Sequence, residues 1–272
     1  MGARFTKAAN LCYLLVMALR KATPATETRI ELGAGSAPGA RARVKLLLFD
    51  LDGTILRAVR GAEPFHATMQ EVFGVDVAGL RMSFAGKTDP MIVAELLALA
   101  GAAAAVDDAA LAAFHERLAG RMTEALACGA MRVDAIPGVR QVLEPLAADP
   151  RFALGVLTGN LERCAHLKLR AAGLDGFFAT GAFGSDAADR AALPAIARAR
   201  FAARTGVDIP LRDCVIIGDT PLDHAAAAKN AMPCVLVASG WTPHAELAGL
   251  AATAVFPDWG DGTAIRAALE RL

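Results

Sequence analysis

The sequence lacks an excess of charge of either sign. Its 272 residues include 28 Lys and Arg against 28 Asp and Glu, so the formal net charge is zero, and the isoelectric point is about 7.0. Proteins that bind nucleic acid through phosphate contacts usually carry a basic face or domain. The balance therefore predicts that nucleic acid is not a partner. With 55% hydrophobic residues, the chain instead has the composition of a globular protein with a full core.

Cysteine is scarce and shows no pairing pattern. The five cysteines are spread along the chain, and none belongs to a C-x-x-C motif. Neither a disulfide framework nor a zinc site is therefore predicted. Cys214 and Cys234 lie inside apolar runs, where a free cysteine behaves as a small core residue. This usage favours a reducing compartment, and we predict a cytoplasmic protein.

The apolar segment near the start is too short to cross a membrane. Residues 8–19 follow Arg4 and Lys7 and resemble part of a secretory signal. Twelve residues cannot span about 30 Å of hydrocarbon as a helix, and Arg20 follows at once. We therefore predict no membrane partner. Residues 1–43 are interpreted as an N-terminal extension and linker, whose origin as a signal, a peripheral helix or an upstream start codon stays open.

From residue 44 onward, two kinds of segment alternate. Short apolar runs lead into longer stretches with helical periodicity. Four such runs are Val44–Phe49, Phe152–Leu157, Cys214–Ile217 and Cys234–Val237. Buried parallel strands have this composition, and helices connect them as crossovers. The sequence therefore predicts an α/β fold with a parallel sheet.

The alternation stops between Arg57 and Asp134, where the sequence looks helical throughout. Asp89, which is followed by proline, is a typical helix start. Apolar residues between 111 and 126 recur at steps of three and four, and such a stripe usually forms a helix-packing core. We predict an α-helical insertion that lies over the sheet.

A pair of acidic residues follows the first predicted strand, in the segment LLLFDLDGT. Asp50 lies at the carboxyl end of the strand, where open α/β sheets bind ligands, and Asp52 follows two residues later. Gly53 permits a tight turn there. Two carboxylates this close repel each other unless a cation or a shared proton relieves them. A divalent cation is the economical explanation, and an oxygen-rich site with few carboxylates suits Mg²⁺.

Two further strand ends carry polar residues. In CVIIGDTPLD, Asp219 ends a strand, and Asp223 four residues later is placed to turn back toward it. In GVLTGN, the Thr158 hydroxyl and the amides of Gly159 and Asn160 form a nest for anionic oxygens. Taken singly, each acidic residue or threonine is also typical of a helix cap. Together, the two acidic pairs predict that three or four carboxylates converge on one edge of the sheet.

These motifs, in this order, resemble those of the haloacid dehalogenase-like superfamily of phosphohydrolases. The resemblance extends from about residue 44 to the C-terminus and rests on DxDGT, a strand-end threonine, a basic residue and GDxxxD. It implies a Rossmann-like three-layer core, residues 44–58 and 135–272, with a mostly parallel sheet and an α-helical cap inserted at residues 59–134. The segments FAGKTDPMI, GVLTGN, GDTPLD and ASGWTPHAEL look most like those of phosphoglycolate phosphatases.

The resemblance also implies a mechanism. Asp50 would attack the phosphorus of a phosphate monoester and become an aspartyl phosphate, and Asp52 would act first as acid and then as base. Mg²⁺ would be held by Asp50, the main-chain carbonyl of Asp52 and Asp219. Asp223 would either order metal-bound water or support the basic residue.

The same resemblance implies which residues bind the phosphoryl group. Thr158, the amide of Gly159 and Asn160 would contact its oxygens. The family normally places a lysine before a proline at its third motif, whereas this chain reads GSDAADRAALP, so Arg190 is the candidate there. A guanidinium holds phosphate through two donors and is not equivalent to an ammonium. The alternative for Arg190 is a solvated arginine at a helix start.

The cap offers weaker candidates. Lys87 and Thr88, in FAGKTD, are expected to bind the substrate, because inserted caps close over such sites. A loop followed by a capped helix is the alternative for this segment. His66 is interpreted as a solvated residue, and Lys168, within a predicted helix, as a surface residue.

The resulting prediction is a Mg²⁺-dependent phosphatase that acts on a small phosphorylated metabolite, phosphoglycolate-like or a sugar phosphate. A dehalogenase is disfavoured because that chemistry needs neither a metal nor an acid at Asp52. A phosphomutase is disfavoured because hydrolases of the family usually have threonine where Thr54 stands. A receiver-like phospho-switch would lack the long helical insertion. Substrate identity and oligomeric state stay open.

Overall fold

The computed structural model of the chain describes residues 44–102, 107–178 and 180–272. The predicted N-terminal extension, residues 1–43, lies outside these ranges. Within them we find no helix with the length and hydropathy that a bilayer crossing requires.

Strands and helices follow one another along most of the described chain. In chain order they are β1 (Lys45–Phe49), β2 (Leu56–Val59), α1 (Ala62–Phe73), α2 (Asp89–Leu99), α3 (Asp108–Ala127), β3 (Arg132–Ala135), α4 (Val139–Ala148), β4 (Phe152–Leu157), α5 (Glu162–Ala171), β5 (Thr180–Ala182), α6 (Leu193–Thr205), β6 (Cys214–Gly218), α7 (Pro221–Lys229), β7 (Cys234–Val237), α8 (His244–Ala248), β8 (Ala254–Phe256) and α9 (Gly262–Arg271). Short 3₁₀ turns, Arg190–Ala192 and Leu211–Asp213, precede α6 and β6.

A six-stranded sheet forms the centre of the molecule, with the order β5-β4-β1-β6-β7-β8. All its neighbouring strands pair in parallel. The predicted α/β fold with a parallel sheet is therefore confirmed. Because β1 lies between β4 and β6, the carboxyl ends of these three strands are adjacent at one edge of the sheet.

Helices cover both faces of this sheet, because its central strands are apolar on both sides. Along β1, Leu47 and Phe49 belong to one buried cluster, to which α4, α5 and α9 contribute. Leu46 and Leu48 belong to a second cluster, which includes residues of α6, α7 and α8. Successive side chains of a strand point to opposite faces, so the two clusters are the two sides of a three-layer core.

An inserted unit lies between β1 and β4 in the sequence. Helices α1, α2 and α3 pack around Phe65 and Phe114, whose ring centroids are 5.0 Å apart. The sequence predicts only helix here, but the structure adds an antiparallel ladder of β2 with β3 at the base of the insertion. Both predicted domain boundaries, 58/59 and 134/135, fall within these strands. Each strand has four residues, which is too short for an alternating pattern to stand out.

Candidate active site

Polar residues follow three adjacent strands of the sheet. Asp50 comes directly after β1, Thr158 directly after β4, and Asp219 directly after β6. Asp50, Thr158 and Asp219 are almost completely buried. The strand order brings these residues to one edge, as the sequence predicts for the carboxyl ends of parallel strands.

Three carboxylates meet at this edge. Asp50, Asp219 and Asp223 each place an oxygen within 4.8 Å of the others. Burial, together with the charges of Asp50 and Asp223, raises the pKa of Asp219 to about 8. Burial likewise raises the pKa of Asp50, to about 6, although Arg190 lowers it. Such a cluster of mutually repelling, desolvated acids is the donor set expected of a site for a hard cation.

One oxygen of the cluster has no hydrogen-bond partner. Within the described ranges, Asp219 Oδ2 is one of the few buried side-chain nitrogen or oxygen atoms without a hydrogen-bond partner. Asp219 Oδ1 accepts a hydrogen bond from the Thr54 hydroxyl at 2.8 Å. Because an unpaired buried carboxylate oxygen is costly, the free Oδ2 fits a direct bond to a cation. The residues present therefore fit Mg²⁺.

Two glycines make room for Asp219. A Cβ on Gly53 would lie 2.5 Å from Asp219 Oδ2, and a Cβ on Gly240 would collide with the same oxygen. Gly53 also has a φ of +87°, which favours glycine because side chains strain this conformation. The DxDGT glycine thus serves both the turn and the close approach of the second acid.

Two hydrogen bonds from distant side chains fix the turn after β1. Ser239 Oγ donates to the Gly53 carbonyl at 2.8 Å, and the indole nitrogen of Trp259 donates to the Thr54 carbonyl at 2.8 Å. Trp259 is among the largest fully buried side chains. The loop that carries Asp52 is therefore held by residues far away in sequence.

Arg190 lies inside the acid cluster, although its motif departs from the family pattern. The side chain is buried, and Nη2 lies 2.9 Å from Asp50 Oδ1 and 2.5 Å from Asp223 Oδ1. The 3₁₀ turn Arg190–Ala192 at the start of α6 brings the residue to the sheet edge. The alternative of a solvated arginine does not agree with this burial.

Asp223 uses both of its oxygens within the protein. Oδ2 accepts hydrogen bonds from the Thr220 amide at 3.1 Å and hydroxyl at 2.6 Å, which forms a capping box at the start of α7. Oδ1 accepts from Arg190. Of the two roles that the sequence leaves open, these bonds favour support of the basic residue. The predicted metal ligand role of Asp223 stays a prediction.

Removal of the Arg190 charge is expected to destabilise the protein. Arg190→Met leaves the buried Asp50 and Asp223 without their shared cation, and the loss of one partner of a buried ion pair typically costs about 3 kcal/mol or more. Protonation of the acids offsets part of this cost, because burial already raises the pKa of Asp50. Urea unfolding at pH 8 in EDTA measures the difference. Arg190→Lys, which keeps the charge, is the matched control and is expected to lose less than half as much.

The segment after β4 supplies donors at the same edge. The Thr158 hydroxyl accepts hydrogen bonds from the Asn160 amide nitrogens, main chain at 3.3 Å and side chain at 2.9 Å. At Gly159, a Cβ would collide with the main-chain carbonyl of Lys87. Thr158, Gly159 and Asn160 all line the cleft that also contains Asp50, and phosphate binding by this segment stays a prediction.

Lys168 is the functional candidate that sequence reasoning missed. Instead of lying on the surface, it is 8% exposed, and its Nζ lies 2.6 Å from Asp52 Oδ2 and 2.6 Å from Asn160 Oδ1. Burial alone would lower the pKa of Lys168, but the charge and hydrogen bond of Asp52, together with the charge of Asp89, outweigh it, and the net shift is upward. Lys168 follows the buried Cys164 by four residues on α5, and this helical spacing was the signal for the inward face.

The loop before α2 connects the insertion to the core. Thr88 is fully buried, donates its hydroxyl to the Ala188 carbonyl at 2.7 Å and caps α2 by accepting from Met91. These bonds agree with the alternative, in which Thr88 caps a helix. Substrate binding by Thr88 stays a prediction. Lys87 does line the cleft, where its Nζ pairs with Glu95.

Asp89 also faces this region. Its Oδ2 accepts a hydrogen bond from the Leu161 amide at 2.8 Å, and burial raises its pKa to about 6 despite the charge of Lys168. The main-chain amide of Asp89 donates to the Gly159 carbonyl at 2.8 Å. These bonds tie the insertion directly to the phosphate-binding segment.

A cleft of about 590 Å³ separates the insertion from the sheet edge. Its floor includes Asp50, Asp52, Thr158 and Arg190. The insertion contributes mostly apolar side chains, together with a few polar ones. Members of this wall are Arg60, Phe65, His66, Leu80, Met82, Phe84, Lys87, Leu118 and Met122. His66 is half-buried there and contacts the ring of Phe84, rather than being solvated as predicted.

Comparisons with known proteins agree with this geometry. The family model described as haloacid dehalogenase-like hydrolase matches residues 47–228. A phosphoglycolate phosphatase of Rhodospirillum rubrum is 29% identical over 218 residues, which are 79% of this chain and 88% of that protein.

Solved structures share the fold. One from Haemophilus somnus, described as a predicted phosphoglycolate phosphatase, superposes with a TM-score of 0.57 at 21% identity over 84% of this chain and 100% of that one. A predicted phosphatase from Clostridium acetobutylicum gives a TM-score of 0.57 at 20% identity over 83% and 99% of the two chains.

Proposed function

The chain belongs to the haloacid dehalogenase-like hydrolase family, whose model matches more than half of it, and we propose that it is a Mg²⁺-dependent phosphatase of small phosphate monoesters. The observation that carries this proposal is the surroundings of Asp50. This buried acid lies 2.9 Å from Arg190 and shares a cleft with Asp52 and the Thr158 segment. The likeness to a phosphoglycolate phosphatase supports the same reaction class.

Asp50 is the nucleophile in the proposed reaction. One of its carboxylate oxygens attacks phosphorus, the bond from phosphorus to the ester oxygen breaks, and the phosphoryl group is transferred to Asp50. The salt bridge from Arg190 to Oδ1 holds the carboxylate in one orientation. Negative charge develops on the phosphoryl oxygens in the transition state. In this proposal it is stabilised by Arg190, the Thr158 hydroxyl and the Gly159 amide.

Asp52 transfers the protons. It protonates the departing alkoxide in the first step and then takes a proton from the water that cleaves the aspartyl phosphate, so that the carboxyl group ends as it began. Its side chain is partly exposed to the cleft, in contrast to the deeply buried Asp50. A position at the substrate-facing side of the turn suits this role.

Asp50, Asp219 and the main-chain carbonyl of Asp52 are the proposed holders of Mg²⁺. The cation supplies positive charge that reduces repulsion between these acids and an anionic substrate. The unpaired Asp219 Oδ2 supports this assignment. The inserted helices cover the site, and this favours an enzyme rather than a receiver-like phospho-switch.

Chelation is expected to abolish activity, and the metal-free protein should show an unusual pH dependence. Folded Asp219 has a pKa raised from 3.8 to about 8, so the folded state binds more protons than the unfolded state between these values. Stability in EDTA should therefore decrease as the pH rises from 5 to 8, while stabilisation by Mg²⁺ increases because the acids must release protons to bind it.

Thermal unfolding of the wild type and of Asp219→Asn, with EDTA or Mg²⁺ at several pH values, measures both effects. The comparison with Asp219→Asn cancels titration of groups elsewhere. Full activity after EDTA dialysis, or a Mg²⁺ shift that does not depend on pH or on Asp219, contradicts the metal assignment.

The substrate class is tested with the purified chain and Mg²⁺. Release of inorganic phosphate is measured for 2-phosphoglycolate, sugar phosphates, glycerol phosphate and p-nitrophenyl phosphate. We expect Mg²⁺-dependent release from at least one small alkyl ester, and we propose a phosphorylated metabolite of this size in the cytoplasm as the natural substrate. If a folded preparation releases phosphate from none of them, the proposed function is wrong.

A further inference from the structure

Lys168 lies on α5, and its side chain extends from this helix to Asp52, the proposed general acid. Lys168 lies in the second turn of α5, and long side chains of a helix point back toward its N-terminus. Since α5 begins just after the Thr158 segment, this direction carries the ammonium to the sheet edge. There it lies 2.6 Å from Asp52 Oδ2.

Asn160 completes a closed triangle with these two residues. Its side-chain nitrogen donates to Asp52 Oδ2 at 2.7 Å, and its side-chain oxygen accepts from Lys168 Nζ at 2.6 Å. The same nitrogen also bonds the Thr158 hydroxyl at 2.9 Å. Each partner therefore fixes the other two, and the triangle is joined to the proposed phosphate-binding threonine.

Both donors of the triangle use the same oxygen of Asp52. Oδ2 accepts from Lys168 and from Asn160, whereas in the part of the chain that the structure describes no side chain donates a hydrogen bond to Oδ1. An oxygen with two donors, one of them charged, is a poor position for a proton. The two carboxylate oxygens of Asp52 are therefore not equivalent.

We propose that Lys168 is a positioning residue, which together with Asn160 holds Asp52 so that Oδ1 is the oxygen that exchanges protons with the leaving group and with water. This inference rests on the proposed function and adds a residue to it. The Nζ–Oδ2 contact restricts rotation of the carboxylate, and displacement of a catalytic group by about 1 Å can cost about 100-fold in rate. Lys168 itself transfers no proton, and its ammonium is bonded to Asp52 and Asn160.

The test uses the difference between two leaving groups. kcat/KM for a phosphatase of this type reports the steps up to departure of the alcohol, which needs a proton for an alkyl ester but not for p-nitrophenyl phosphate. For Lys168→Met we expect kcat/KM to fall about 10- to 100-fold with the best alkyl phosphate of the panel. With p-nitrophenyl phosphate, the loss should stay within about threefold. Arg170→Met, an exposed cation on the same helix, is the matched control and should change neither.

A double mutant separates positioning from a general structural role. Asparagine at position 52 cannot transfer a proton, so Lys168→Met in the Asp52→Asn background should cost no more than about twofold with the alkyl ester. Equal losses with both esters in the single variant, or the same factor in both backgrounds, overturn the proposal.

Two further variants distinguish a failure of the proposal from misfolding of Lys168→Met and from failure of the proposed phosphatase function. If Lys168→Met does not fold by circular dichroism, Lys168→Gln carries the test, because it keeps a polar side chain at this buried position but removes the ammonium that pairs with Asp52. Lys168→Gln should show the same preference for the p-nitrophenyl ester, and equal losses with both esters overturn the proposal. Retained hydrolysis in Asp50→Asn would instead remove the proposed function.

Discussion

Asp50→Asn is expected to lower kcat by about 10⁴-fold or more on every phosphate monoester, as does loss of the nucleophile in other enzymes with covalent intermediates. The amide is a far weaker nucleophile than the carboxylate. Neither Asp219 nor Asp223 is placed to replace Asp50 as the nucleophile. Both oxygens of Asp223 are bonded to Thr220 and Arg190, and the carboxylate of Asp219 packs against Gly53. Initial rates with p-nitrophenyl phosphate at saturating Mg²⁺ measure the loss.

The same substitution should leave the fold intact. Arg190 keeps its bond to Asp223, and removal of one of three clustered carboxylates relieves repulsion that raises the pKa of Asp219. The thermal midpoint in EDTA at pH 8 should therefore be unchanged or higher. Asp76→Asn, at an exposed acid that does not line the cleft, is the control and should retain full activity. Hydrolysis by purified Asp50→Asn at more than a trace level contradicts the nucleophile assignment.

The parallel sheet and the convergence of the acids were predictable from the sequence because both follow from local rules. Apolar strands end at Asp50, Thr158 and Asp219, and parallel strands present their carboxyl ends at one edge. Once the strand ends are identified, this rule alone places Asp50 and Asp219 together. The inward position of Arg190 was predictable only through the family resemblance, since an arginine at a helix start is usually solvated.

Features that depend on tertiary contacts could not be predicted in this way. The ladder of β2 with β3 joins residues 73 to 79 positions apart, and neither strand has a pattern of its own. Lys168 is polar, so its residue type favoured the surface, and the carboxylate of Asp52 and the amide oxygen of Asn160 at the end of its side chain make burial acceptable. For Thr88 the residue type favoured a role in the cleft. Its hydroxyl instead donates to the Ala188 carbonyl and accepts from the Met91 amide.

Asp52→Asn is expected to show a loss that depends on the leaving group. For alkyl phosphates, kcat/KM should fall about 10²- to 10⁴-fold, the usual contribution of a general acid. For p-nitrophenyl phosphate the fall should be much smaller, because p-nitrophenolate departs without a proton. The asparagine side chain still accepts from Lys168 and Asn160 through its oxygen, so the geometry of the turn is kept.

The second chemical step gives an independent signature of the same residue. Because asparagine cannot take the proton from the attacking water, the aspartyl phosphate on Asp50 should accumulate, and rapid mixing with p-nitrophenyl phosphate should give a burst of p-nitrophenolate followed by slow turnover. Asp134→Asn, at an exposed acid of β3, controls for a general effect of charge and should give neither burst nor loss. A uniform decrease for both leaving groups without a burst would mean that Asp52 orients the turn and that another group transfers the proton.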